Sequence, residues 1–403
     1  MTRRTDTMKF AAGLSREKDP DAALETLLRQ VRTGLRKKPA DLAFLFISSL
    51  YPIQWERFLD RVQTELGTPL LIGCTGGGIL GRNQELEFTP AMSLAAAHLP
   101  GIKCHPFTVS PDELEEERGP GFWIEKLGCP PAREPVGILL PDPYSCDIVT
   151  LLSALGSVYP KMPVVGGLAS SAQPRTRPTI FLNRRTVPEG AIGLLLSGDI
   201  QLKTIVSQGC RPVGRSYIVT RAEENAILEL AGMPATEALR QMFDTLSPAD
   251  RGLAEQALLL GVVMNERQES FQQGDFLIRN LIGMDPETGA ILIGDRIESG
   301  QTVQFQVRDA DSARADLAAL LKAQEEAFRQ KPPAGALLFS CMGRGQDLYG
   351  EPHHDVRAIR SAVGPIPIAG FFCNGEIGPV GGRTFVHGFT ASLGLFGRKN
   401  SPA

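Results

Sequence analysis

Three stretches of the chain repeat one order: a short apolar run, an amphipathic segment, then a proline followed by apolar residues and a glycine. The first begins at Leu42 and reaches Pro69-Leu70-Leu71-Ile72-Gly73. The second begins at Val136 and reaches Pro163-Val164-Val165-Gly166-Gly167, and the third begins at Ala336 and reaches Pro365-Ile366-Pro367-Ile368-Ala369-Gly370. A short apolar run cut off by turn residues reads as a buried strand, and apolar positions at helical spacing between two such runs read as a helix packed on them. Roughly thirty residues separate the two strands each time, a recurrence that chance seldom gives, so the chain multiplies one supersecondary unit. Later strand pairs follow the units, at 92–98 with 102–109 and at 191–196 with 202–207, and a last strand lies in 388–395. The expected fold class is α/β (α+β), with mixed β-sheets flanked by helices.

At 403 residues the chain is too long for one ordinary domain. The proline and glycines of residues 209–215 make the best linker. The expected division is a flexible N-terminus over 1–15, one domain over 16–212 and a second over 213–398. Residues between the second and third units change character. They predict several strands, a helix after Pro234, and a hairpin turn at Asp285-Pro286-Glu287-Thr288-Gly289.

A formal net charge of −3 gives no general pull toward nucleic acid or an anionic membrane. Nothing near the N-terminus has the apolar core of a signal peptide, and no run approaches a membrane span. The seven cysteines lack CxxC spacing, which suits reduced thiols in a cytosol-like compartment. The expectation is a soluble, cytoplasmic protein with neither a nucleic-acid nor a membrane partner.

The third unit concentrates the chemistry. Its first strand breaks into Ser340-Cys341-Met342-Gly343-Arg344-Gly345, and its second runs into Phe371-Phe372-Cys373-Asn374-Gly375-Glu376-Ile377-Gly378. Successive amides in a Gly-Arg-Gly turn can form an anion nest, and a guanidinium there can grip a carboxylate with two parallel hydrogen bonds. Glu376, after the Asn374-Gly375 turn, can accept from an amine. Arg344 and Glu376 would together clamp a zwitterion near the glycine turn of the second unit. The candidate ligand contacts are therefore Cys341, Gly343, Arg344, Gly345, Asn374, Gly375, Glu376, Gly166, Gly167, Ser170 and Ser171. Cys341 is the candidate nucleophile, because a nearby Arg favours the thiolate. His353-His354-Asp355 is better read as a helix start than as a metal site, and no metal or other cofactor is expected. Arg175, Arg177, Arg184 and Arg185, between Pro174 and Pro188, read as a solvated loop tip.

The runs Leu337-Leu338-Phe339-Ser340-Cys341-Met342-Gly343-Arg344-Gly345 and Phe371-Phe372-Cys373-Asn374-Gly375-Glu376-Ile377-Gly378 resemble the C-terminal half of the FIST (F-box and intracellular signal transduction) family. Residues 70–78, 163–171 and 191–196 are similar to its N-terminal half. The resemblance implies a sensory module for a small ligand, an amino acid or related metabolite, acting in signal transduction through a separate signalling protein. Two alternatives stand beside it: an enzyme using Cys341, from the reading of that residue above, and a protein-recruitment scaffold, which the F-box-linked relatives imply. No F-box is recognisable in this sequence.

Overall fold

The computed structural model describes residues 7–116, 118–173 and 175–399. Residues 1–6 of the expected flexible N-terminus, and the Pro174 that bounds the arginine run, lie outside them. The chain forms two compact units that interleave along the sequence. One contains the residues up to 206 together with 318–386 and those from 390 onward, and the other contains 207–317 with 387–389. All three repeated units, with all their glycine turns, fall in the first. The turns therefore belong to one unit, in which strands of the third copy hydrogen-bond to strands of the first two.

Each copy builds the same pattern. Leu42–Ser48 leads through helix Trp55–Leu66 to Leu71–Gly76, and the two strands pair in parallel. Val136–Pro141, helix Ile148–Val158 and Val164–Gly167 repeat it, as do Gly335–Cys341, helix His354–Val363 and Ile368–Cys373. Two antiparallel strands extend each pair on one side. In the first copy these are Met92–His98 and Lys9–Ser15. Lys9–Ser15, expected within a flexible terminus, is thus an edge strand, held in register from Lys9↔His98 to Ser15↔Met92 and largely buried.

On the other side of each pair lies a hairpin lent by a different copy. Ile180–Leu182 and Arg185–Val187, from the second copy, extend the first sheet. Glu376–Val380 and Arg383–His387, from the third, extend the second sheet, and Gly78–Gly81 and Gln84–Glu87, from the first, extend the third. The exchange is cyclic, so three six-stranded mixed sheets close around one core. Phe44, Phe46, Ile72, Ile138, Leu140, Phe339 and Phe371 meet there. The rings of Phe46, Phe339 and Phe371 pack with centroids 5.0–6.2 Å apart. Helices cover the outer faces. Helix Pro20–Leu35 starts where Asp19 accepts from the Ala22 amide, and it buries Leu24, Leu27, Leu28 and Val31 against the first sheet.

The second unit is a closed antiparallel barrel. Tyr217–Glu223, Ala226–Leu230, Ala290–Ile293, Phe276–Asp285, Leu258–Val263 and Thr302–Arg308 pair in that order, and the last pairs back to the first. Val219, Ile227, Leu260, Val303 and Phe305 fill it, with Met242 from helix Ala235–Thr245.

Candidate functional site

Parallel strands of all three copies deliver their C-terminal ends to one region of the first unit. Gly166 and Gly167 stand opposite Ile377 and Glu376 in an antiparallel pair. Leu168 N donates to Gly375 O at 2.9 Å, and Asn374 N donates to Leu168 O at 3.1 Å. Ser170 ties the copies together: its Oγ accepts from the Gly77 amide at 2.8 Å and donates to Phe372 O. Ser171 Oγ donates to Ser49 Oγ at 3.1 Å. The thioether end of Met342 packs over Gly77, where a Cβ would lie 2.7 Å from Met342 Cε. The structure therefore brings the residues 166–171 and 374–376 together, with Cys341 on the strand beside Cys373.

Arg344 departs from its expected role. It is fully buried, and its guanidinium is already engaged: Nε donates to Asp355 Oδ2 at 2.9 Å and Nη2 to Asp355 Oδ1 at 3.1 Å. Nη2 also donates to the Tyr349 hydroxyl, which donates in turn to Asp355 Oδ1 at 2.9 Å. The fork expected for a ligand carboxylate is filled by a carboxylate of the protein itself. Helix His354–Val363 supplies that acid from its first turn, where the helix dipole favours it. Gly345 permits the approach of the Glu87 carboxylate, which takes the Gln346 amide at 2.9 Å. A Cβ on Gly345 would sit 2.5 Å from it.

Glu376 is also fully buried. Its Oε2 accepts from Thr390 N at 3.1 Å and from Thr390 Oγ1 at 2.8 Å, while Oε1 has no conventional hydrogen-bond partner. Burial pushes this carboxyl up to about 8, against smaller opposing effects from Thr390, from the Arg344 charge and from the neighbouring Cys341 thiol. Arg344 and Glu376 thus share one buried electrostatic cluster, without the open two-ended clamp. Glu85 belongs to it too. Its Oε1 takes the Val356 amide at 2.8 Å, its Oε2 is unsatisfied, and burial, then the Asp355 charge, raises it to about 8. Asp355 goes the other way. Burial opposes its ionisation, but the Arg344 charge and hydrogen bonds from His354, Arg344 and Tyr349 hold it well below the usual carboxylate range.

The two raised carboxyls fix a pH dependence. A proton bound more tightly in the folded state stabilises it below the unfolded pKa, and that stabilisation is lost as pH rises toward 8. Asp355 contributes in the opposite sense, losing its stabilisation only as pH falls below the ordinary Asp range. Stability is expected to fall between about pH 5 and 9, by on the order of a few kcal/mol, and Glu376→Gln should flatten the slope. Denaturant titrations across that range check it; a slope unchanged in Glu376→Gln would show that Glu376 does not carry it.

Cys341 is partly exposed, and its Sγ accepts from the Gly343 amide at 3.4 Å. None of the seven cysteines is in a disulfide. His353 Nδ1 takes the Glu85 amide at 3.0 Å, and the His354 ring stacks on Tyr349 at 3.8 Å. Arg184 pairs with the exposed Asp60 at 3.2 Å. Sequence reasoning passed over Glu85, Tyr349 and Thr390, and saw in Asp355 only a helix start. Nothing local in the sequence shows that Glu85 is buried, because its strand is lent to another copy's sheet. Three surface clefts of about 370, 710 and 700 Å³ are lined by other residues.

Comparison with known proteins settles the family. The FIST N domain matches residues 41–233 and the FIST C domain matches residues 235–379. The chain belongs to the FIST family. An uncharacterized protein of Mycobacterium tuberculosis strain H37Rv is 38% identical over 389 residues, covering 96% of this chain and all of the relative. An uncharacterized protein of Mycobacterium bovis is 36% identical over 392 residues, covering 96% and 99%. A solved cyanuric acid hydrolase covers 98% of this FIST protein and 100% of its own chain, at TM-score 0.36 and 8% identity, a likeness too slight to bear on fold or activity. Among the described residues no helix is long and apolar enough to cross a membrane.

Proposed function

We propose that this FIST protein is a sensor for a small polar metabolite, an amino acid or a close relative, and passes its occupancy to a separate signalling protein. One observation carries the reading. The strand ends of three copies converge on a buried carboxyl whose Oε1 lacks a conventional partner, beside a partly exposed thiol. A ligand ammonium brought against Glu376 would add a charged donor beside the Cys341 thiol and favour the ionised carboxylate. Asn374, Ser171 and Cys341 then offer the remaining polar contacts, and the glycines at 166–167, 343, 345 and 375 allow backbone approach. Arg344 sets the field around the site from behind, and Ser170 holds the strand ends together.

Native mass spectrometry of the gently purified protein tests for a retained ligand. Calorimetry with a panel of amino acids then compares wild type with Asn374→Ala. Losing a side-chain hydrogen bond should weaken binding by roughly fivefold to tenfold, about 1 kcal/mol, with little change in stability because Asn374 is exposed. If no amino acid binds, or if it binds both forms equally, the reading is wrong. A second reading, a cysteine-dependent enzyme, is supported by the Gly343 amide directed at Cys341 Sγ, which favours a thiolate. Turnover abolished by Cys341→Ser would establish that one instead.

A further inference from the structure

We infer that the first unit carries a second ligand site, for a small organic polyanion bearing carboxylate or phosphate groups. It is the cleft of about 710 Å³ between strand Lys9–Ser15, helix Pro20–Leu35, the hairpin turn at Arg82-Asn83, and Pro365 to Pro367. Its size lies within the range of small-molecule sites. Phe10, Ala11, Ala12, Pro365, Ile366 and Pro367 give it apolar walls, and Arg29, Arg82 and Arg360 are its charged groups. No acidic residue lines it.

In a chain of net charge −3, three guanidinium groups around one cleft without an acidic residue are an uneven distribution. Some arginines of this unit are spent on carboxylates: Arg61 contacts three, and Arg344 lies on Asp355. Among the described residues, Arg29 and Arg82 have no carboxylate within ion-pair distance. Arg360 is oriented instead by backbone, its Nη1 donating to Arg82 O at 3.2 Å and to Ile366 O at 3.1 Å. Guanidinium groups held this way suit planar oxyanions.

Arg82 supplies a second, independent observation. It holds φ 52° in the two-residue turn between Gly78–Gly81 and Gln84–Glu87, a left-handed conformation unfavourable for a long side chain. The equivalent lent hairpins carry at this point Asn183, at φ 55°, and Gly381, at φ 58°, both residue types that accept it readily. An arginine in this turn strains the backbone, and its side chain lines the cleft. Such a cost beside a cleft supports the hypothesis of a function there.

The test uses the full chain and two probes, inorganic pyrophosphate and citrate, titrated calorimetrically at low salt. Arg29→Gln and Arg82→Asn are compared with wild type, and Arg240→Gln, in the other unit, serves as control. Arg82→Asn keeps the turn and relieves its strain, so it should fold at least as well as wild type. The expected result is one-to-one binding of at least one probe, weakened tenfold or more in at least one cleft variant and unchanged in the control. Binding of pyrophosphate alone assigns phosphate ligands, and of citrate alone carboxylates. No binding of either probe, or equal affinity in every variant, overturns the inference. The amino-acid titrations at Asn374 read a different site, so either proposal can fail without the other.

Discussion

Arg344→Ala is expected to destabilise the first unit by about 3–5 kcal/mol, the cost of leaving one member of a buried ion pair uncompensated. Local pattern alone points the other way, since an arginine in a glycine turn after a strand is usually exposed, and exposed loop residues contribute little to folding. In the structure its fork holds Asp355 at 2.9 and 3.1 Å, and both side chains are almost wholly excluded from water. Removing the guanidinium strands the Asp355 charge and returns it toward the neutral form. It also takes from Glu85 and Glu376 a positive charge that acts on both. The replacement of both partners by apolar residues is a different matter. Arg344→Met with Asp355→Leu should recover much of the loss, because buried pairs gain little net stability over well-packed hydrophobes. Trp55 and Trp123, the two tryptophans of the chain, both lie in the first unit, so denaturant unfolding followed by their fluorescence reports the relevant transition. A single variant as stable as wild type would show that the pair is dispensable.

The repeated order was legible because it rests on local chemistry. A proline, apolar residues and a glycine mark a buried strand and its end wherever they occur, and all three copies fold as those residues imply. The ends of the strands were legible too, so Cys341, Glu376 and the residues 166–171 could be placed near one another. What escaped was which strand pairs with which. The hairpins 78–87, 180–187 and 376–387 are short, and each leaves its own copy to complete another sheet. A pairing over nearly three hundred residues, such as Ala369↔Gly81, leaves no periodicity to read. The clamp was misjudged for that reason. Arg344 and Glu376 are charged residues at glycine turns, and local pattern gives such residues to solvent. Their burial follows from lent strands covering them, with Glu85 brought in on one and Glu376 itself on another.

Gly370→Ala is expected to cost about 3 kcal/mol or more, at or beyond the upper end of ordinary overpacking. A Cβ at this position would lie 1.8 Å from Leu338 O and 2.8 Å from its carbonyl carbon. The obstacle is backbone of the neighbouring parallel strand, where Leu338 and Gly370 are register partners, so no rotamer change relieves it. The same conflict recurs in each copy. Gly73 faces Leu45 O at 1.9 Å and Gly166 faces Leu139 O at 2.0 Å, again between register partners. These are the glycines that close the proline-apolar-glycine runs, which explains why the sequence repeats a glycine there and not another small residue. Alanine at any of the three should therefore have a comparable effect. Gly156, inside helix Ile148–Val158, is the contrast: a Cβ there would meet nothing within 4 Å, and alanine should stabilise by about 0.5–1 kcal/mol through helix propensity and a less flexible unfolded chain. Unfolding curves of the four alanine variants decide the point. If Gly73→Ala, Gly166→Ala and Gly370→Ala unfold like Gly156→Ala, the close approach of the paired strands is not what the repeated glycine serves.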